Sequence, residues 1–406
     1  MVCRWARPST GSTASVRDLP ADVERGRTDG TFEQGKRYCI HAHEVVEAGP
    51  WHDWRSCWFS ELHFRVLPSH AIELTSAFLD RSVSATLARH RTRGASRAQK
   101  QRLESDWSDM PAARAQMLEM IGAALGQQPE PAGVRYEDRM IPGPESGPEV
   151  RVRIYHPEGA TGLLPAVLYL HGGGFCFGSI ETEHLGAAQT AAAAEAVVVS
   201  VDYRLAPEHP FPAGVEDCYA GLVWLAANAD ALCVDADRLA VMGGSAGGGL
   251  AAGTALLARD RGGPALCFQV LNIPELDDRL DTPSMRQFTD TPLWNRPNAI
   301  ASWCHYLGDA VGGEVSPYAA PARAEDLRGL PAAYVATMEY DPLRDEGLRY
   351  AMRLLEHGVS VELHQYPGTF HGSAMIASAQ VSRRASEELM GGLRRGLRRP
   401  DDRSGS

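Results

Sequence analysis

The sequence predicts an α/β fold in which a mostly parallel central sheet is flanked by helices and covered by a helical cap. In the second half of the chain, short apolar segments of strand length alternate with helical segments, a pattern typical of βαβ units. The chemically reactive residue types follow these strands directly, where open parallel sheets place their sites. Two segments with helical spacing precede the first strand and could supply the cap.

Composition excludes several classes of function. A chain of 406 residues with 44% hydrophobic residues can bury a large core, and its net charge of -11 argues against a nucleic-acid partner. No apolar run approaches the roughly 18 residues of a membrane span, and no apolar signal region follows the first residues. The eight cysteines contain no C-x-x-C pair, so neither a zinc site nor a disulfide framework is indicated. We expect a cytoplasmic protein, and the sequence leaves open whether it forms a homodimer.

The region before the sheet is predicted to contain two parts. Residues 1–65 are poor in apolar periodicity and are expected to form an extension that is disordered or loosely docked. Residues 66–130 are predicted to form a helical cap, with helices over 70–87 and 111–125. Phe78 and Leu79 on the first helix are candidate substrate-binding residues, although these helices could equally well only cover the core.

Residues 131–398 are predicted to form the catalytic domain, followed by a polar tail over 399–406. An antiparallel pair of strands opens this domain, and the remaining strands are expected to be mainly parallel. The predicted strands are 134–141, 150–155, 165–170, 196–201, 239–242, 268–273, 333–337 and 361–365.

A G-x-S-x-G sequence follows the predicted strand 239–242, with Ser245 between Gly243 and Gly247. Glycines at these positions allow a sharp turn from strand to helix that exposes the serine hydroxyl. The backbone N–H of Ala246, at the start of that helix, would face a developing oxyanion. Such a pentapeptide by itself is also compatible with an ordinary tight turn.

Three other strand ends carry complementary groups. Gly173 and Gly174 follow the strand 165–170, and their N–H groups could stabilise negative charge. Asp341 follows the strand 333–337, where it could also serve as a helix N-cap. His371 follows the last strand in a loop that we expect to be exposed and mobile. A nucleophile, an acid and a base in the order Ser, Asp, His indicate a catalytic triad.

The chain resembles the hormone-sensitive lipase branch of carboxylesterases, which have the α/β-hydrolase fold. The matching motifs are HGGGF at 171–175, YRLAPEHPFPA at 203–213, GGSAGG at 243–248, DPLRDEG at 341–347 and FHG at 370–372. The resemblance covers about residues 129–397. It departs from the branch at Gly244, where an acidic residue is common. The family's cap also uses a segment after the sixth strand, which implies a cap insertion at 277–307.

These observations predict a serine hydrolase that cleaves carboxylic esters of short to medium acyl chains through an acyl-enzyme. Ser245 would be the nucleophile, His371 the base and Asp341 its orienting acid, since Asp345 lies about one helical turn farther on. Phe175 is a further candidate for substrate binding. The reaction needs a small ester and water, with no metal and no cofactor. The YRLAPE segment is expected to brace the oxyanion loop. A lactonase, an amidase, a lipase and a non-catalytic receptor remain alternatives.

Overall fold

The computed structural model describes residues 107, 109–125, 131–145 and 147–398, together with four short strands before residue 77. For these four strands and for residues 120–125 only the backbone is described. The chain divides into two compact units, Met1–Ala77 and Phe78–Ser406.

The first unit contains two antiparallel strand pairs. β1 (Tyr38–His41) pairs with β2 (Glu44–Glu47), and β3 (His63–Val66) pairs with β4 (Ile72–Thr75). The helix predicted over 70–87 is therefore wrong at β4. The sequence of this strand alternates apolar and polar residues, and its register sets Ile72 opposite Val66 and Leu74 opposite Phe64. Phe78 and Leu79 lie outside the described residues.

The second unit is built around an eight-stranded sheet. Its strands are β5 (Val134–Ile141), β6 (Val150–Pro157), β7 (Leu164–Leu170), β8 (Val197–Asp202), β9 (Val234–Gly244), β10 (Phe268–Asn272), β11 (Ala332–Tyr340) and β12 (Val361–Phe370). Its helices are α1 (Met110–Leu125), α2 (His184–Ala194), α3 (Ala213–Ala227), α4 (Ala246–Asp260), α5 (Pro283–Gln287), α6 (Arg296–Leu307), α7 (Arg344–Glu356) and α8 (Gln380–Gly396). Short 3-10 turns occur at Gly308–Ala310, Pro321–Arg323 and Ser373–Met375.

The strand order across the sheet is β12-β11-β10-β9-β7-β8-β6-β5. All pairs from β12 to β8 are parallel, and the pairs that join β6 to β8 and to β5 are antiparallel. The predicted sheet is confirmed. Several strands are longer than expected: β9 begins at Val234, β11 continues to Tyr340 and β12 continues to Phe370.

Helices cover both faces of the sheet, so the central strands are buried on both sides. In β7, Val167 and Leu168 point to opposite faces, and both are fully buried. One apolar cluster packs β-strand side chains against α3, α4 and α7, and the other packs them against α2 and α8. This rigid sheet holds its carboxyl edge, and the loops that follow it, in fixed positions.

The predicted cap insertion at 277–307 contains α5 and α6. Each helix begins with a side-chain cap, because Thr282 accepts a hydrogen bond from the backbone N–H of Met285 and Asn295 accepts one from that of Asn298. A proline follows each cap in the first helical turn. Within the described part of the chain, no helix is both long and apolar enough to cross a membrane.

Candidate active site

The turn between β9 and α4 holds Ser245 in a conformation that few residues adopt, with φ 57° and ψ -124°. Gly243 and Gly247, two residues to either side, have no room for a side chain. A Cβ on Gly243 would lie 2.1 Å from the carbonyl oxygen of Gly247, and one on Gly247 would lie 2.1 Å from that of Leu170. The backbone N–H of Ser245 donates to the carbonyl of Asn272 at 2.9 Å, which fixes the turn. The sharp turn expected from G-x-S-x-G is present, but Ser245 is buried, with 9% of its surface exposed.

Ser245, His371 and Asp341 lie in one hydrogen-bonded chain. The Nε2 atom of His371 is 3.0 Å from the Ser245 hydroxyl, and its Nδ1 atom is 2.7 Å from Oδ2 of Asp341. The other carboxylate oxygen of Asp341 accepts from the backbone N–H of Leu343 at 2.9 Å. Asp345 is engaged elsewhere, because its carboxylate accepts from the backbone N–H of Ser284.

The expectation that His371 is exposed is wrong. Its exposed fraction is 7%. β12 continues to Phe370, so the histidine follows the strand directly, and its ring lies 5.7 Å from the indole of Trp294. Trp294, in the predicted cap insertion, therefore covers part of the His371 ring.

The loop after β7 packs against the serine turn. Its residues Gly173, Gly174 and Phe175 all have positive φ, at 123°, 54° and 60°. A Cβ on Gly172 would lie 3.0 Å from the carbonyl oxygen of Gly244. The loop thus approaches the serine turn at Gly172, where a Cβ would also lie 3.6 Å from Cβ of Ser245.

Gly174 has no room for a side chain, because a Cβ there would lie 2.5 Å from Cη2 of Trp294. The Trp294 ring thus lies beside both the loop glycine and His371. Phe175 does not line an open site. Its ring is buried and stacks on Tyr306 of α6 with a centroid distance of 3.9 Å.

His171 and Tyr203 brace the same loop from below. The Nδ1–H of His171 donates to the carbonyl of Gly172 at 2.8 Å, and its ring stacks on Tyr203 at 4.0 Å. The Tyr203 hydroxyl in turn donates to the carbonyl of His171 at 2.8 Å. Burial lowers the pKa of His171 to about 4, so the imidazole is neutral near pH 7. The bracing role expected for YRLAPE has this structural basis.

Arg114 of α1 joins the cap to the loop. Its guanidinium donates to the carbonyls of Cys176 and Ala206, at 2.8 and 3.0 Å, and forms a two-point ion pair with Glu208. Sequence reasoning missed this residue, because nothing local marks one arginine of an exposed helix as a partner for groups over 60 positions away.

Glu275 was also missed, although it follows β10 and the strand-end rule would have found it. Its backbone N–H donates to the carbonyl of Ser245 at 3.0 Å. The side chain is fully buried, and neither carboxyl oxygen has a well-formed hydrogen bond with the described residues. Burial raises the pKa of Glu275 to about 8. The carboxyl is therefore mostly neutral near pH 7.

Comparison with known proteins agrees with this geometry. The sequence model of a family described as having the alpha/beta hydrolase fold matches residues 167–375. Carboxylesterase NlhH of Mycobacterium tuberculosis is 43% identical over 246 residues, which are 60% of this chain and 77% of that protein. Esterase LipI of Mycobacterium tuberculosis is 42% identical over 272 residues, which are 66% of this chain and 83% of that protein.

Solved esterase structures are similar over most of their length. A structure titled bacterial heroin esterase is 49% identical, with a TM-score of 0.73, and the match covers 79% of this chain and 99% of that one. A hyperthermophilic esterase from the archaeon Pyrobaculum calidifontis is 39% identical, with a TM-score of 0.65, and the match covers 74% of this chain and 97% of that one. The chain therefore belongs to the α/β-hydrolase family, as a carboxylesterase of its hormone-sensitive lipase group.

Proposed function

We propose that this carboxylesterase hydrolyses its substrates with Ser245 as nucleophile, His371 as general base and Asp341 as the acid that orients the base. The observation that carries the proposal is the hydrogen-bonded chain of these three side chains, at 3.0 and 2.7 Å. A base within hydrogen-bond reach of the hydroxyl, itself held by a buried carboxylate, is the arrangement that activates a serine.

The reaction takes place in two halves. Nε2 of His371 takes the Ser245 proton while the serine oxygen bonds to the ester carbonyl carbon, and the carbonyl electrons form an oxyanion. The N–H groups of Gly173, Gly174 and Ala246 stabilise that oxyanion. The imidazolium then protonates the departing alcohol, which leaves an acyl-serine. Water, deprotonated by His371, then attacks the acyl carbon. The bond from that carbon to the Ser245 oxygen breaks, this oxygen takes the proton back from His371, and the carboxylic acid is released.

We propose that the acyl groups are short to medium in length. Ser245 is mostly buried, and Trp294 occupies the space beside Gly174 and near His371. Little room is left next to the nucleophile for a long chain. A rate profile over 4-nitrophenyl esters of increasing acyl length tests this part of the proposal, and a maximum at long chains would contradict it.

The roles within the triad are tested with Ser245→Ala, which should lose turnover while folding normally. The matched control is Ser200→Ala, since Ser200 is a fully buried serine in β8 whose hydroxyl has no hydrogen-bond partner among the described residues. We expect the control to keep its turnover and Ser245→Ala to lose at least about three decades. The wild-type enzyme should release one equivalent of 4-nitrophenol per chain in a pre-steady-state burst, and Ser245→Ala should release none. Retention of the burst in Ser245→Ala would refute the assignment.

We further propose how the chain is organised around this site. Residues 131–398 form the catalytic domain, α1 and the cap insertion 277–307 contribute the cap, and residues 1–65 and 399–406 are an extension and a polar tail. The acidic net charge and the cysteine pattern support a cytoplasmic protein whose partners are small esters and water rather than nucleic acids. A homodimer remains compatible with this proposal.

A further inference from the structure

The oxyanion loop has a backbone that needs external support. Gly173, Gly174 and Phe175 lie in the left-handed region one after another, and Phe175 is not a glycine. A non-glycine residue is strained in that region, so such a conformation persists only where surrounding contacts impose it. The peptide groups of this loop carry two of the three proposed oxyanion donors, which makes their orientation a matter of catalysis as well as folding.

One face of α6 supplies much of that support. The residues of this face are Ser302, Trp303 and Tyr306. The Ser302 hydroxyl donates to the carbonyl of Gly174 at 3.0 Å, in a fully buried contact between residues far apart in the chain. Tyr306 stacks on the Phe175 ring with an interplanar angle of 8°, and Trp303 lies 5.4 Å from the same ring.

The Ser302 hydrogen bond acts on Gly174, a position that has no room for a side chain. Gly174 lies between Trp294 and Ser302, since a Cβ on it would meet Cη2 of Trp294 at 2.5 Å and Oγ of Ser302 at 3.2 Å. Glycine itself has broad backbone freedom, so packing alone does not fix its dihedral angles. A hydrogen bond to its carbonyl restricts ψ of Gly174 and the plane of the following peptide, and it thereby anchors the residue whose own N–H belongs to the preceding peptide.

We propose that Ser302 is a positioning residue for ester hydrolysis, which holds the Gly174 carbonyl from the cap insertion and so limits how far Gly174, and with it the N–H that faces the oxyanion, can shift. The proposal rests on the proposed function, because it takes that N–H as an oxyanion donor. Ser302 is fully buried, and it acts through Gly174 rather than on the substrate. The cap insertion thereby contributes to the rate of the chemical step in addition to covering the pocket.

Two consequences distinguish positioning from packing. The oxyanion forms with every ester, so loss of the Ser302 hydroxyl should lower kcat by a similar factor for all acyl lengths, with little change in KM. An inhibitor whose oxyanion binds to the same N–H donors should lose affinity by about the same factor as kcat. Removal of a whole oxyanion donor costs about 10² to 10³ in rate. A donor that is only misaligned should cost less, and we expect about tenfold or more in kcat.

The experiment compares Ser302→Ala and Ser302→Cys with Thr190→Ala. The cysteine variant keeps a side chain at this position but offers a weak donor, and it serves if the alanine variant does not fold. Thr190 is the matched control, because its buried hydroxyl also donates to a backbone carbonyl, that of Gly186 at 2.8 Å, on a helix distant in sequence from the triad. The measurements are kcat and KM for 4-nitrophenyl acetate and butyrate, the inhibition constant of a trifluoromethyl ketone, and Tm.

We expect kcat to fall by about tenfold in Ser302→Ala and by less in Ser302→Cys, with a parallel rise in the inhibition constant of the ketone. Thr190→Ala should lower Tm without either effect. A kcat within about twofold of the wild-type value in both Ser302 variants, or a loss of kcat without weaker ketone binding, would overturn the proposal. A fluorophosphonate that labels Ser245 in these variants shows that the triad assignment stands independently of that outcome.

Discussion

Replacing Asp341 by asparagine should block catalysis through the tautomer of His371. The carboxylate accepts two hydrogen bonds, from the backbone N–H of Leu343 on Oδ1 and from Nδ1 of His371 on Oδ2. In Asp341→Asn the amide oxygen must stay on the Leu343 side, because the amide NH₂ group cannot accept from that N–H. The NH₂ group then faces His371 and donates to Nδ1. The imidazole proton moves to Nε2, which can no longer accept the proton of Ser245.

The size of the expected effect follows from this reversal. A wrong tautomer in a Ser-His-Asp triad lowers kcat by about 10⁴. At 1.36 kcal/mol for each tenfold change, this corresponds to about 5.4 kcal/mol in the activation free energy. Shape and volume of the side chain are unchanged, so KM and Tm should change little. The assay is steady-state hydrolysis of 4-nitrophenyl acetate, with active sites counted by covalent labelling of Ser245.

Asp345→Asn is the matched control in the same motif. Asp345 accepts from the backbone N–H of Ser284 at 2.7 Å and pairs with Arg344, and its carboxylate does not contact His371. We expect this variant to keep kcat within about tenfold of the wild-type value. A larger loss in Asp345→Asn than in Asp341→Asn would show that the orienting acid has been misassigned.

Two further predictions concern buried side chains around the triad. Since the pKa of Glu275 is raised from 4.5 to about 8, folding favours its protonated form, and this contribution to stability is full below pH 4.5 and is lost as the pH rises toward 8. Tm measurements should therefore show Glu275→Gln gaining stability relative to the wild-type enzyme between about pH 5 and pH 8, and an unchanged difference would contradict the raised pKa. Trp294→Ala should open space beside Gly174 and His371 and raise the ratio of kcat/KM for 4-nitrophenyl octanoate over acetate by about tenfold or more. An unchanged ratio with a lowered Tm would indicate that Trp294 only packs.

The sequence was sufficient to predict the sheet and to select the three residues that the structure brings into one hydrogen-bonded chain, because both depend on local pattern. A strand such as β7 is apolar along its whole length, so it can be recognised in the sequence without knowledge of the strands beside it. Ser245 and Asp341 follow the buried strands β9 and β11, and His371 follows β12, an edge strand that is only partly buried. In a parallel sheet the carboxyl ends lie on one edge, so residues that are distant in sequence become neighbours by topology alone.

The first part of the chain shows where this reasoning fails. The segment around β4 has apolar residues at spacings that fit a helix over a long window and a strand over a short one. This segment forms a strand rather than a helix because it pairs with β3, where Ile72 lies opposite Val66. A single-sequence pattern contains no information about that partner.

For a related reason, the sequence does not identify residues whose role depends on contacts with distant parts of the chain. Ser302 and Trp294 lie in a helical insertion whose sequence is ordinary, and neither residue is marked by a motif. Their importance comes from what they face, which is Gly174, and that residue was recognised because three adjacent glycines are unusual after a buried strand. A glycine-rich loop that must hold strained dihedral angles implies partners that hold it, since glycine cannot do so itself. The motif thus predicts that supporting residues exist, and only the packed structure identifies them as residues of α6 and the turn before it.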